Sequence, residues 1–183
     1  YSGNFAMQIE KDQMGQTRLN AGIHTERFAW SLKQGEEFYT PEAVMTYSAE
    51  GFGKMTSNFH HTFREHLCRG KYKHERRPVL INNWEATYFD FDRDKILQIA
   101  EGAAELGVEM LVLDDGWFGK READVSGLGD WFVNTEKLKG GLKPVADGIN
   151  QLGMQFGLWF EPEAISEDSD LYRQHPDWAL QIP

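Results

Sequence analysis

The chain has 183 residues, enough for one domain with a sizeable core or for one domain and part of a second. With 40% hydrophobic and 13% aromatic residues it is too apolar to be disordered, yet no stretch approaches the roughly 20 apolar residues of a transmembrane helix. A formal net charge of −10 repels phosphate backbones, so nucleic acid is not an expected partner, and without a long apolar stretch neither is a membrane.

The first residues, Tyr1-Ser-Gly-Asn4, show no initiator Met, basic segment or apolar run of a signal peptide; the chain is expected to begin inside a longer protein. Residues 1–50 read as short strands. Phe5-Ala-Met-Gln-Ile-Glu-Lys11 alternates apolar and polar side chains, as a half-buried antiparallel strand should. Asp12-Gln-Met-Gly15 is a turn signal, and Thr17 to His24 can return from it. Phe28 to Leu32 alternates again, and Gly35 to Ser48 reads as a final strand broken near Pro41.

From Met55 the period changes. Met55, Phe59, Phe63 and Leu67 fall at four-residue steps and give residues 51–77 a helix with one apolar stripe. The single cysteine, Cys68, excludes an internal disulfide, fits a reducing cytoplasmic compartment, and is expected as a small core residue. His60, His61, His66 and His74 do not make a metal site: His60 and His61 are adjacent and face different ways on a helix, and no carboxylate completes a ligand set. They are expected at a surface.

After Pro78 strands and helices alternate. Val79 to Asn82 is an apolar run suited to a parallel strand buried on both faces. Residues 92–107 form a helix with acids in its first turn, a stripe of Ile96, Ile99, Ala103 and Leu106, and Gly107 as its stop. Val108 to Asp114 is a second strand, Leu142 to Leu152 a second helix, and Met154 to Phe160 a third strand. A short helix around Asp168 to Gln174 and a possible strand start at Trp178 to Ile182 follow. This pattern predicts an α/β fold with a parallel sheet and right-handed crossovers. A full (β/α)₈ barrel takes roughly 250 residues, so residues 78–183 hold its first three to four units and less than half of it.

Polar and aromatic residues gather after each strand: Asn82-Asn-Trp-Glu-Ala-Thr-Tyr-Phe-Asp90, Asp114-Asp-Gly-Trp-Phe-Gly119 and Trp159-Phe-Glu-Pro-Glu163. In parallel α/β architectures the C-terminal strand ends build the active site. Carboxylates accept from hydroxyl groups and aromatic rings pack on the C–H faces of a pyranose, so the combination suits a carbohydrate. Asp114 and Asp115 are neighbours on an extended strand and point opposite ways unless the backbone turns, which Gly116 permits. Either both bind ligand, or one binds ligand while the other caps local amides.

These blocks, together with Leu128-Gly-Asp-Trp131, Gly157-Leu-Trp-Phe-Glu-Pro-Glu163 and Ser169-Asp-Leu-Tyr-Arg-Gln-His-Pro-Asp-Trp178, resemble in order the signatures of the large bacterial α-galactosidases of glycoside hydrolase family 36. The resemblance covers Pro78 to Pro183, and the upstream strands match the end of that family's N-terminal β-sandwich. It implies that residues 1–50 close the sandwich, residues 51–77 form a linking helix and residues 78–183 begin the catalytic barrel. It further implies that Asp114 and Asp115 hydrogen-bond the O4 and O6 hydroxyls of galactose, that Trp84 walls the sugar pocket and that Trp159 lines it. Glu161 and Glu163 are candidates for orienting neighbours, and Trp117, Asp130 and Trp131 for loop packing or a rim.

The family's reaction needs a nucleophile and an acid/base carboxylate. Its nucleophile lies in a Lys-Trp-Asp type of motif, and neither that motif nor the acid/base block occurs in this chain. Ala164 stands where the family usually has a bulkier residue. No catalytic residue is therefore assigned within these residues, and no metal, nucleotide or organic cofactor is implied. The expected partners are α-galactoside oligosaccharides of the melibiose and raffinose type and the remainder of the barrel, with a homo-oligomeric complete enzyme. A galactosyltransferase of the same clan, or a non-catalytic sugar-binding module, would present the same residues.

Overall fold

A computed structural model describes residues 3–26 and 28–180, and the chain divides into two compact units, residues 1–75 and 76–183.

In the first unit β1 (Phe5–Lys11) and β2 (Thr17–Ile23) form an antiparallel hairpin, in register from Phe5 opposite Ile23 to Lys11 opposite Thr17. Asp12 makes the turn: its Oδ1 accepts from the amides of Met14 at 2.9 Å and Gln16 at 2.8 Å. Phe5, Met7 and Ile9 share one face and are all exposed. The alternating segments Phe28 to Leu32 and Gly35 to Ser48, expected as strands, are irregular. A strand needs a ladder partner on at least one edge, and the described sheet here has only two strands. Trp30 instead packs on Phe38 at 5.0 Å between ring centroids.

The expected helix is α1 (Gly51–Thr62), with Phe59 stacked on Phe63 at 5.7 Å. A π-helical turn, Phe63–Leu67, ends it, closed by the Cys68 amide donating to the Phe63 carbonyl at 2.8 Å. The wider turn breaks the four-residue step, so Leu67 leaves the stripe and is exposed. Cys68 follows in an extended conformation and is also exposed, which corrects its expected place in a core. His60, His61, His66 and His74 are exposed.

The second unit is α/β. Strands β3 (Leu80–Asn82), β4 (Met110–Leu113) and β5 (Gln155–Leu158) form a parallel sheet in that order. Between β3 and β4 run the short α2 (Trp84–Thr87) and α3 (Arg93–Glu105); α4 (Leu142–Gln151) connects β4 to β5. Asp92 caps α3, its carboxylate accepting from the Lys95 amide at 2.9 Å. Gly107, at φ 79°, closes the helix in the left-handed region that only glycine enters freely. The core joins Ile96, Ala100 and Ala103 of α3 and Val145 and Ile149 of α4 to Leu111 and Leu113 of β4. Leu106, expected on the α3 stripe, lies in the non-helical cap and points to solvent.

The start of β3 departs from expectation in the same way. Val79 and Leu80 are about half exposed because β3 is an edge strand with β4 on one side only. Across that pair Glu109 accepts from the Val79 amide at 2.7 Å and from Arg76. These contacts, the Arg76 bond first, hold its carboxyl below the usual glutamate range. At the other end of the chain, α5 (Asp170–Gln174) is followed by a 3₁₀ turn, Pro176–Trp178, where a strand start was expected; Gln181 and Ile182 lie outside the described residues. No helix among the described residues is long and apolar enough to cross a membrane.

Candidate active site

The parallel register places Asn82 beside Val112 and Leu113 beside Leu158, so the segments starting at Asn83, Asp114 and Trp159 leave the sheet at one edge. Hydrogen bonds fasten them together. The buried Asn83 donates to Thr87 Oγ1 at 2.8 Å, and its Oδ1 accepts from the Asp114 amide at 2.8 Å. Asn82 donates through Nδ2 to Asp114 Oδ2 and accepts the Trp84 amide on Oδ1 at 2.7 Å. The Trp159 amide donates to the Leu113 carbonyl at 2.9 Å, and the Trp159 carbonyl accepts from Trp117 Nε1 at 3.0 Å.

The two adjacent acids differ in setting. Asp114 is partly exposed; its Oδ1 accepts from the Asp115 amide at 2.7 Å and its Oδ2 from Asn82. A carboxylate offers about four acceptor positions, so about two remain open at Asp114. Asp115 is buried, at 5% exposure. Its Oδ1 accepts from the Gly116 amide at 2.7 Å, and Arg121 grips the carboxylate with Nε at 3.0 Å from each oxygen and Nη2 at 2.8 Å from Oδ2. These are four contacts from three N–H groups, the Arg121 Nε–H being shared between the two oxygens, so Asp115 is far less open than Asp114. Both acids thus cap a local amide, and Asp114 is the one that keeps open acceptor positions.

Arg121 belongs to the long connection between β4 and α4, which contains no strand or helix and only one isolated bridge, Phe118 to Val133. Connections of this length in compact domains are usually functional. Its Nη1 donates to the carbonyls of Ala123, Asp124 and Ser126 at 2.9, 2.7 and 2.7 Å, which organises the loop around the guanidinium. The partly buried Lys137 ties the first loop to the second: its Nζ donates to the Phe89 carbonyl at 2.8 Å and sits 4.9 Å over the Phe91 ring. Burial pushes the Lys137 ammonium below the ordinary lysine value.

Gly116 makes the turn between acids and loop possible. Its φ of 90° is in the left-handed region, and a Cβ there would lie 2.9 Å from Phe89 Cδ1 and 3.3 Å from Phe91 Cε1. Left-handed strain alone costs a non-glycine residue about 1–2 kcal/mol. Gly116→Ala in the full-length protein is therefore expected to lower the melting temperature and raise KM severalfold, measured by thermal unfolding and steady-state kinetics. Unchanged values would mean that the turn tolerates a Cβ and does not aim the acids.

The aromatic residues split by role. Trp84 is half-buried, edge-on to Tyr88 at 5.2 Å and to Phe89 at 5.0 Å. Trp159 is half-buried on the β5 side, 6.3 Å from Trp131. Trp117 is buried against Phe118 and Trp131, a packing role. Asp130 accepts the Asp170 and Leu171 amides and so holds the start of α5. Glu161 is partly buried and Glu163 exposed. The sequence blocks contained Asn82 and Asn83 without their roles as fasteners. Arg121 and Lys137 carry no sequence signal of their own, because Asp115 lies 6 residues from Arg121 and Phe89 lies 48 from Lys137 across irregular loops.

A cleft of about 1040 Å³ lies elsewhere, in the first unit, lined by Phe5, Met7, Leu19, Phe28, Phe59 and neighbours. It is predominantly apolar, and volume without convergent acceptors does not make a sugar site. Among the described residues no group of three or more His, Cys, Asp or Glu could hold a metal ion.

Residues 37–183 match the family model described as Melibiase, and residues 1–33 that of the Glycosyl hydrolase family 36 N-terminal domain. The α-galactosidase AgaA of Geobacillus stearothermophilus is 55% identical over 183 residues, which cover 100% of this chain and 25% of that protein. The bifunctional α-galactosidase/sucrose kinase AgaSK of Mediterraneibacter gnavus is 54% identical, covering 100% and 20%. The crystal structure of AgaA superposes with a TM-score of 0.94, covering 100% of this chain and 26% of that one. Variants of AgaA have been solved with stachyose and with raffinose. The chain spans about a quarter of the length of AgaA.

Proposed function

Because the chain belongs to the melibiase family, the α-galactosidases of glycoside hydrolase family 36, we propose that it forms the galactose-binding floor of a retaining α-galactosidase that removes terminal α-linked galactose from melibiose- and raffinose-type oligosaccharides. In that enzyme residues 1–50 close an N-terminal β-sandwich, residues 51–77 lead on from it, and residues 78–183 open a (β/α)₈ barrel. The parallel order β3-β4-β5 with α3 and α4 in the connections supports the barrel reading.

The carrying observation is the pair of acids at the end of β4, Asp114 with acceptor positions open after its local bonds are made and Asp115 held in one orientation by Arg121. Asp114, partly exposed and with about two positions free, accepts sugar hydroxyls, and Asp115, held by Arg121, shares one of its oxygens with a further hydroxyl. The axial O4 distinguishes galactose from glucose, so acids that bind this hydroxyl set specificity. Trp84 walls the pocket from the β3 side and Trp159 from the β5 side, giving the pyranose C–H face an aromatic surface. Ionised carboxylates make the stronger class of hydrogen bond, which suits specificity.

The retaining reaction runs through a glycosyl-enzyme intermediate on a nucleophilic carboxylate, with a second carboxylate as acid and then base. Residues outside this chain supply both groups in the complete enzyme. The acidic composition and single cysteine suit a cytoplasmic location, and the complete enzyme assembles as a homo-oligomer. The test is the full-length enzyme on raffinose, followed by NMR of the released sugar. Release of α-galactose first, before mutarotation, is expected. Release of β-galactose first contradicts retention, and transfer to a second sugar in place of water identifies a transferase.

A further inference from the structure

Arg121 grips Asp115 and has so far no part of its own in sugar recognition, yet it is 3% exposed and spends all three guanidinium nitrogens. Nε and Nη2 take three of the contacts on Asp115, and Nη1 takes three carbonyls of the loop from Ala123 to Ser126. With the Gly116 amide on Oδ1, the buried carboxylate receives two contacts on each oxygen, which fixes its orientation.

We infer that Arg121 is the positioning residue for sugar specificity: it converts Asp115 from a freely rotating carboxylate into a single, aimed acceptor for one galactose hydroxyl. This rests on the reading of Asp115 as a galactose ligand. The chemistry follows from the fork. A planar guanidinium holding both oxygens of a carboxylate fixes its rotation about the Cβ–Cγ bond, which a point-charge ammonium does not. The same guanidinium is anchored in turn by loop carbonyls, so the aim of Asp115 is set by the loop after β4. Arg121 is also 5.7 Å from the Phe89 ring, which meets Trp84 edge-on at 5.0 Å, so the acid and the aromatic wall share one support.

The test uses the full-length enzyme with Arg121→Lys, Arg121→Met, Asp115→Asn and the two combinations of an Arg121 change with Asp115→Asn. The measurements are kcat and KM on an aryl α-galactoside, inhibition constants of free galactose and free glucose, and melting temperature. Each Arg121 variant is expected to lose roughly ten- to hundredfold in kcat/KM, to weaken galactose inhibition and to leave glucose inhibition unchanged. On the Asp115→Asn background the same changes should cost almost nothing further. Arg121→Lys keeps the buried positive charge, so the comparison stands even where Arg121→Met does not fold. Equal losses on both backgrounds, with the galactose-to-glucose ratio intact, would show a loop stabiliser and overturn the inference. An Asp115→Asn enzyme with native kinetics and selectivity would overturn the galactose reading of Asp115 and the role of Arg121 with it.

Discussion

Asp114→Ala in the full-length enzyme is expected to reduce kcat/KM for an α-galactoside by at least one to two decades. Two kinds of contact vanish together. On the proposed reading the sugar loses its hydroxyl partners on the more accessible of the two acids, and each charged hydrogen bond contributes about 1.5–3 kcal/mol. The Asn82 amide and the Asp115 backbone amide also lose their acceptor, which loosens the link between the β3 and β4 segments. Asp115→Ala should be as damaging to kcat/KM and more damaging to stability. Its carboxylate and Arg121 are both almost wholly enclosed, and removing one partner of a buried pair typically costs about 3–5 kcal/mol by stranding the other charge. Steady-state kinetics with circular dichroism as a folding control separates the two effects. Near-native kcat/KM in both variants would remove these acids from the site.

The second large effect is complete loss: this chain, purified by itself, is expected to release nothing above buffer from an aryl α-galactoside. A retaining glycosidase needs two carboxyl groups about 5–5.5 Å apart on opposite sides of the bond. Asp114 and Asp115 are consecutive, and Arg121 clamps the second, so they cannot flank a glycosidic bond. The chain alone should also associate. In the parallel sheet β3 and β5 are edge strands, Val79 and Leu80 are half exposed, and the hairpin presents Phe5, Met7 and Ile9 to solvent. Unpaired edges and apolar faces promote pairing with a complementary fragment or a second copy. Light scattering after size-exclusion chromatography should show a species larger than a monomer. Robust turnover by the isolated chain would falsify the placement of the catalytic groups elsewhere.

The second unit was legible because its signals are local. Asp92 before α3, Gly107 after it and the apolar runs of β4 and β5 each act within one element, and they landed within a residue or two. The segments at Phe28 to Leu32 and Gly35 to Ser48 alternate as strands should, but a strand is a pairing, and alternation does not supply a partner. Leu67, Cys68 and Leu106 were misplaced for a related reason. Leu67 closes the π turn, Cys68 and Leu106 are helix caps, and a period read along the sequence registers neither a π turn nor a cap. In the site, the residue types after each strand were readable; the division of labour was not. That Asp114 stays open while Asp115 is gripped depends on Arg121, six positions on, folding back through a loop with no periodic signal.

The most direct measurement is a crystal structure of the full-length enzyme with galactose bound. The account predicts O4 and O6 within about 3 Å of the Asp114 and Asp115 carboxylates, Arg121 still on Asp115, and the sugar bordered by Trp84 and Trp159. A galactose bound in the catalytic pocket with neither acid within hydrogen-bonding distance would contradict it.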